Sequence, residues 1–88
     1  MIDYRSLGVG KIIETLRRRK RLTQQEVAFR CNLDRKTISN IERNDSSPSV
    51  ETLLNIILAL NVTPSEFVVE FEKHTNILDY YPYSEDMP

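Results

Sequence analysis

Residues 24–31 and about 35–43 read as two short helices separated by only three residues, Asn32-Leu33-Asp34. A link that short makes the two helices pack directly on each other at a steep angle. Thr23 precedes the first helix with Glu26 three residues later, a capping box in which each side chain satisfies the other's backbone N–H. Val27, Ala28 and Cys31 form its apolar face, and Asn32 tolerates the left-handed backbone that ends a helix. Asp34 caps the second helix, whose narrow apolar face is Ile38 and Ile41. Ala28 gives the small side chain that close helix approach needs, and Leu33 is expected to tuck under the turn.

The rest of the chain also reads as helix. Leu7, Val9, Ile12, Ile13 and Leu16 recur at helical spacing from about residue 7 to 20. The run Arg17-Arg18-Arg19-Lys20-Arg21 closes that helix with positive charge, which suits the negative end of its dipole. Asn44 to Pro48 is a loop by composition. Ser49 caps a fourth helix, apolar nearly all round and therefore expected to be the central buried one. Thr63-Pro64 starts a fifth as N-cap and N1, lined by Phe67, Val68 and Phe71 and ending near Lys73. Ile77, Leu78, Tyr80, Tyr81 and Tyr83 then read as an extended C-terminal tail with aromatic anchors. The expected organisation is all-α, with one domain over 1–72 and the tail over 73–88.

The net charge of −1 hides a division. Residues 1–48 carry 11 Lys/Arg against 6 Asp/Glu, whereas residues 49–88 carry 1 against 7. A basic half points to a polyanionic partner. One cysteine and one histidine exclude a disulfide framework and a zinc site built on several cysteines, so neither metal nor cofactor is expected. No apolar run approaches the roughly 20 residues of a membrane helix, and no signal peptide is visible. These features are those of a soluble cytoplasmic protein.

Two helices joined in this way have the sequence form of a helix-turn-helix, in which the second helix presents Arg35, Lys36 and Asn40 outward near its N-terminal end. Arg and Lys donate to guanine O6 and N7, and Asn pairs bidentately with adenine. The stretches Leu22-Thr23-Gln24-Gln25-Glu26-Val27-Ala28 and Thr37-Ile38-Ser39-Asn40-Ile41-Glu42-Arg43 resemble the phage repressor/Cro-like (lambda repressor-like) helix-turn-helix family. Pro48 to Leu54 and Ala59 to Thr63 continue the resemblance, which covers about residues 8–70. It implies a compact five-helix bundle that reads double-stranded DNA. By the same resemblance, Gln24 contacts a phosphate and braces the recognition helix. Arg35, Lys36 and Asn40 reach base edges, with a phosphate contact the alternative for Lys36 and a plain solvated helix face the alternative for all three, while Thr37 and Arg43 touch the DNA backbone. Gln25 and Ser39 complete the implied DNA-binding set, and Arg17 pairs with Glu42. Asn32 stands where the family often has Gly, Ile57 where it usually has Ala, and the tail matches nothing in the pattern.

Plainer alternatives exist for several residues. Arg18 to Arg21 are expected to be a solvated helix end rather than a phosphate clamp. Cys31 is read as a small core residue and His74 as an exposed one. Gly8 and Gly10 are read as loosening the start of the first helix. Phe67, Val68, Val69 and Phe71 carry more apolar surface than one short helix buries, which suggests a dimer interface formed by the fifth helix with the Tyr80, Tyr81 and Tyr83 tail, the tail being alternatively a partner-binding extension. Together these features describe a transcriptional regulator, a repressor working as a homodimer on a two-fold symmetric operator. The second reading is an antitoxin or adaptor whose main partner is a protein docked on the acidic C-terminal half. No nucleophile–base pair, metal set or phosphate loop assembles, so an enzyme is not expected.

Overall fold

A computed structural model describes residues 8–75. Among these residues the chain forms five helices and no strand: α1 (Val9–Arg19), α2 (Gln24–Cys31), α3 (Arg35–Glu42), α4 (Val50–Ala59) and α5 (Pro64–His74). The aromatic tail expected after residue 75 lies outside the described residues.

Local chemistry sets each helix start. The Thr23 hydroxyl accepts the Glu26 N–H, and the Glu26 carboxylate accepts the Thr23 N–H in return. Thr63 and Glu66 repeat this box ahead of Pro64. Asp34 accepts the Thr37 N–H and Ser49 accepts the Thr52 N–H. Each such cap is worth about 1 kcal/mol.

Four of the five helix ends share one device. Arg21, Asn32, Asn44 and Asn61 all have φ of +58° to +60°. Beyond each, the next amide donates back to the carbonyl five residues earlier: Leu22 to Arg17, Leu33 to Ala28, Asp45 to Asn40 and Val62 to Ile57. A left-handed residue reverses the chain within one step, and Asn adopts that conformation more readily than most side chains. Asn32 does here what Gly often does in the family pattern.

Ile12, Ile13, Leu16, Val27, Ile38, Ile56 and Leu60 are almost wholly shielded from water and form the centre of the core. Burying each contributes about 1.5–3 kcal/mol before chain entropy is offset. Val27, Ala28 and Cys31 are buried as their spacing predicts, and so are Ile38 and Ile41. The α1 helix packs on α3 and α5, and α2 packs on α3 and α4. The α3 helix is therefore held from two sides. Burial pushes the Cys31 thiol above its ordinary pKa, as suits a core residue.

Two expectations change. The α4 helix is not the central buried one: Val50 is 73% exposed, Leu58 72% and Leu54 44%. These three recur at every fourth residue and form one outward row, while Ile56, Ile57 and Leu60 face the core. Apolar composition all round a helix does not say which faces gain neighbours. Gly10 does not loosen α1. It is buried, and a Cβ there would fall on the carbonyl oxygens of Ile41 and Glu42 and 2.8 Å from Asn44 Oδ1. Its N–H donates to Asn44 Oδ1 at 2.9 Å. Gly10 thus lets α1 touch the C-terminal end of α3.

No single described helix is long and apolar enough to cross a membrane, and the apolar pair α4–α5 is bent by 103°. A tie absent from the sequence reading joins α1 to α5. Arg19 donates through Nη1 and Nη2 to both oxygens of the buried Glu70 carboxylate, at 3.2 and 2.9 Å. His74 Nε2 donates to Glu70 Oε1 at 2.9 Å. His74 is exposed as expected, yet it is not idle.

Two predictions follow from this packing. Gly10→Ala is expected to destabilise the fold by about 1–3 kcal/mol in denaturant melts, because the backbone oxygens it meets cannot move aside. The Arg19 and then the His74 hydrogen bonds lower the Glu70 pKa from 4.5 to about 2. A carboxylate with a lowered folded-state pKa stabilises fully above its unfolded value and loses that contribution as pH falls. The stability advantage of the wild type over Glu70→Gln should therefore shrink between about pH 4.5 and pH 2 in urea melts.

Candidate nucleic-acid interface

The frame of the site is a buried ion pair. Arg17 Nε donates to Glu42 Oε2 at 2.7 Å, and Arg17 Nη2 to Glu42 Oε1 at 3.1 Å. Arg17 Nη1 also donates to the Leu22 carbonyl at 2.8 Å. The pair links the last turn of α1 to the last residue of α3, and a planar fork on a carboxylate permits only one relative orientation.

Gln24 carries the frame outward. Its Nε2 donates to Glu42 Oε1 at 3.1 Å, and its Oε1 accepts from Arg35 Nη1 at 3.3 Å. The first residue of α2 therefore bridges the last residue of α3 and the first. A continuous polar chain, Arg17–Glu42–Gln24–Arg35, runs from the buried interior to an exposed guanidinium.

The remaining candidate residues fall into two groups. Arg35 and Lys36 are exposed in the first turn of α3. Gln25 is exposed on α2 and lines a shallow groove with Glu26, Phe29 and Arg30. Thr37 donates its hydroxyl to Asp34 Oδ1 at 2.8 Å, so it serves the N-cap in this state. That bond, and then the Thr37 N–H, hold the Asp34 carboxyl below its usual pKa. Ser39 and Asn40 are half-buried one turn further on, where Arg43 gathers them. Arg43 Nη1 donates to Ser39 Oγ and Nη2 to Asn40 Oδ1, both at 2.6 Å. Arg43 Nε donates to Asp45 Oδ2 at 2.9 Å.

Sequence reasoning missed Asp45, Asn44 and the Arg19–Glu70 tie. Asn44 was legible as an Asn directly after a helix, the same signal as Asn32. Asp45 stands two residues after Arg43, but a loop rich in Asp and Ser offers no reason to single it out. Nothing local connects Arg19 with Glu70 across 51 positions.

Among the described residues no group of His, Cys, Asp and Glu is arranged to hold a metal ion. Two helices held at a fixed crossing, with an arginine- and amide-bearing first turn left open, form a helix-turn-helix. Residues 13–67 match the helix-turn-helix family, and the chain belongs to that family. It is 40% identical over 67 residues to the uncharacterized HTH-type transcriptional regulator y4dJ of Sinorhizobium fredii, covering 76% of this chain and 86% of that protein. It is 37% identical over 64 residues to the immunity repressor protein of Bacillus phage phi105, covering 73% of this chain. The match spans only 44% of the length of that repressor. Among solved structures, the restriction-modification controller protein C.Esp1396I, captured as a tetramer on its natural 35 base-pair operator, superposes with a TM-score of 0.75. It is 32% identical, with 82% of this chain and 95% of that one covered. The controller protein C.AhdI from Aeromonas hydrophila gives a TM-score of 0.68 at 32% identity, over 73% of this chain and 94% of that one.

Removing one partner of the frame strands the other. Glu42→Ala leaves the Arg17 guanidinium buried without its counter-charge and is expected to cost about 3–5 kcal/mol. A urea melt reads this directly, and an unchanged midpoint would show that the pair does not hold α3.

Proposed function

We propose that the chain is a sequence-specific double-stranded-DNA-binding transcriptional regulator, a cytoplasmic repressor that works as a homodimer on a two-fold symmetric operator. The observation that carries this reading is the open first turn of α3, whose Arg35 is tied through Gln24 to the buried Arg17–Glu42 pair. A base-reading side chain discriminates only if its root is fixed, and this one is fixed by the core.

In this reading Arg35, Lys36 and Asn40 reach base edges in the major groove. Gln24, Gln25, Thr37, Ser39 and Arg43 set the register on phosphates. Lys and Arg of the basic half neutralise the DNA backbone and supply the salt-dependent share of affinity. Thr37 must release its hydroxyl from Asp34 to donate to a phosphate oxygen. The named relatives are transcriptional regulators and controllers, which supports a binding role over a catalytic one.

The outward row Val50, Leu54 and Leu58, with the half-exposed Val68 and Val69 of α5, supports self-association. Apolar side chains left facing water on so small a domain gain stability when a second copy covers them. In this reading the surface includes a row on α4, which the sequence expectation of α5 with the C-terminal tail left out. The Tyr80 to Tyr83 segment, expected to join it or to bind another protein, lies outside the described residues.

Selection of bound duplexes from a random DNA library near physiological salt tests the proposal. The wild type is expected to select a two-fold symmetric consensus. Arg35→Ala should lose preference at one base pair per half-site, about 1–3 kcal/mol of discrimination, with a much smaller loss on non-specific DNA. Equal losses on both DNAs would reduce Arg35 to a phosphate contact. No enrichment at all would favour a protein partner as the main ligand.

A further inference from the structure

We infer that Asp45 is a positioning residue for sequence reading: through Arg43 it fixes the orientation in which Asn40 meets a base. This rests on the DNA-reading role proposed above. Arg43 spreads three guanidinium nitrogens over three acceptors, Ser39 Oγ, Asn40 Oδ1 and Asp45 Oδ2, at 2.6, 2.6 and 2.9 Å. The two ends of an Asn side chain differ only in being donor or acceptor. A cationic donor at 2.6 Å sits only on the oxygen end. That contact settles the amide flip of Asn40 and leaves Nδ2 and the second lone pair of Oδ1 for a base. Adenine requires this pair, since it donates from N6 and accepts at N7.

Asp45 aims the clamp. Its carboxylate on Nε holds the two terminal nitrogens of Arg43 over Ser39 and Asn40, and each of them keeps a second N–H for a phosphate. Asp45 is itself held twice. Its N–H donates to the Asn40 carbonyl at 2.9 Å, closing the helix end through the left-handed Asn44. Asn44 Oδ1 accepts the N–H of buried Gly10 at 2.9 Å, which pins this loop to α1. The clamp therefore stands on the core.

The alternative is an ordinary surface ion pair. Both side chains are 59% exposed, and exposed pairs of this kind add little to stability. A carboxylate beside a surface that approaches phosphates also lowers affinity for every DNA alike. Neither stability nor affinity accounts for its placement, whereas orientation does.

The test uses the full chain as wild type, Asn40→Ala, Asp45→Ala and the double variant. Each is measured on the selected consensus and on its single-base variants, with melting temperature and salt dependence recorded. Asn40→Ala identifies the base pair that Asn40 reads. Asp45→Ala is expected to lower the preference at that same base pair by about three-fold or more, with preferences elsewhere and the melting temperature unchanged. In the Asn40→Ala background it should have no further effect there. Three outcomes overturn the inference. If Asp45→Ala tightens binding to all duplexes equally and leaves every base preference intact, Asp45 acts only as a charge, and the DNA-reading role stands. If it lowers all preferences together with the melting temperature, its role is structural. If the wild type selects no consensus, the reading of DNA fails and the clamp with it.

Discussion

The Arg17–Glu42 pair is the contact on which the rest of the structure depends. Taking two charges out of water is expensive, and such a pair is favourable only when every remaining lone pair and proton finds a partner. Here each does. Arg17 has a spare nitrogen on the Leu22 carbonyl, and Glu42 accepts a third donor from Gln24. Among the described residues no buried side-chain polar atom lacks a partner. An apolar contact at the same place would tolerate sliding. A two-pronged pair does not, so it converts burial into a fixed relation between α1 and α3, and Gln24 extends that relation to α2.

The two ends of α3 are fixed by different means. Its N-terminal end is set by the Asp34 cap and by Gln24 reaching Arg35. Its C-terminal end is set by Glu42, by the left-handed Asn44 and by the close approach of Gly10. An eight-residue helix is too short to be stable by its own hydrogen bonds. It persists because Ile38 and Ile41 are buried and both ends are tied. That leaves the exposed residues between the ties free to vary without loss of fold, which suits a surface whose chemistry must match one partner among many.

Much of this was legible in the sequence because the signals were local. Thr23 with Glu26, Asp34, Ser49 and Thr63-Pro64 each mark a helix start, and the four helices α2 to α5 begin at the residue after those signals. Asn32 was readable for the same reason. What failed was long-range. Whether the apolar face of α4 is covered depends on its neighbours, and among the described residues Val50, Leu54 and Leu58 stay exposed on this ten-residue helix. Gly10 looked like a flexible start because its constraint, the end of α3, lies 34 residues away. Among the site residues, Gln24 and Arg35 came from a resemblance in pattern. The polar chain joining them is visible only once α2 and α3 are packed.

The division of charge along the chain acquires meaning from the packing. The α1–α3 half is basic and the half from residue 49 onward acidic. Among the described residues α3 packs on α1 and α2, while α5 packs on α1 and α4 on α2. The two halves attract each other, and Arg19 with Glu70 is the place where that attraction becomes a specific bond.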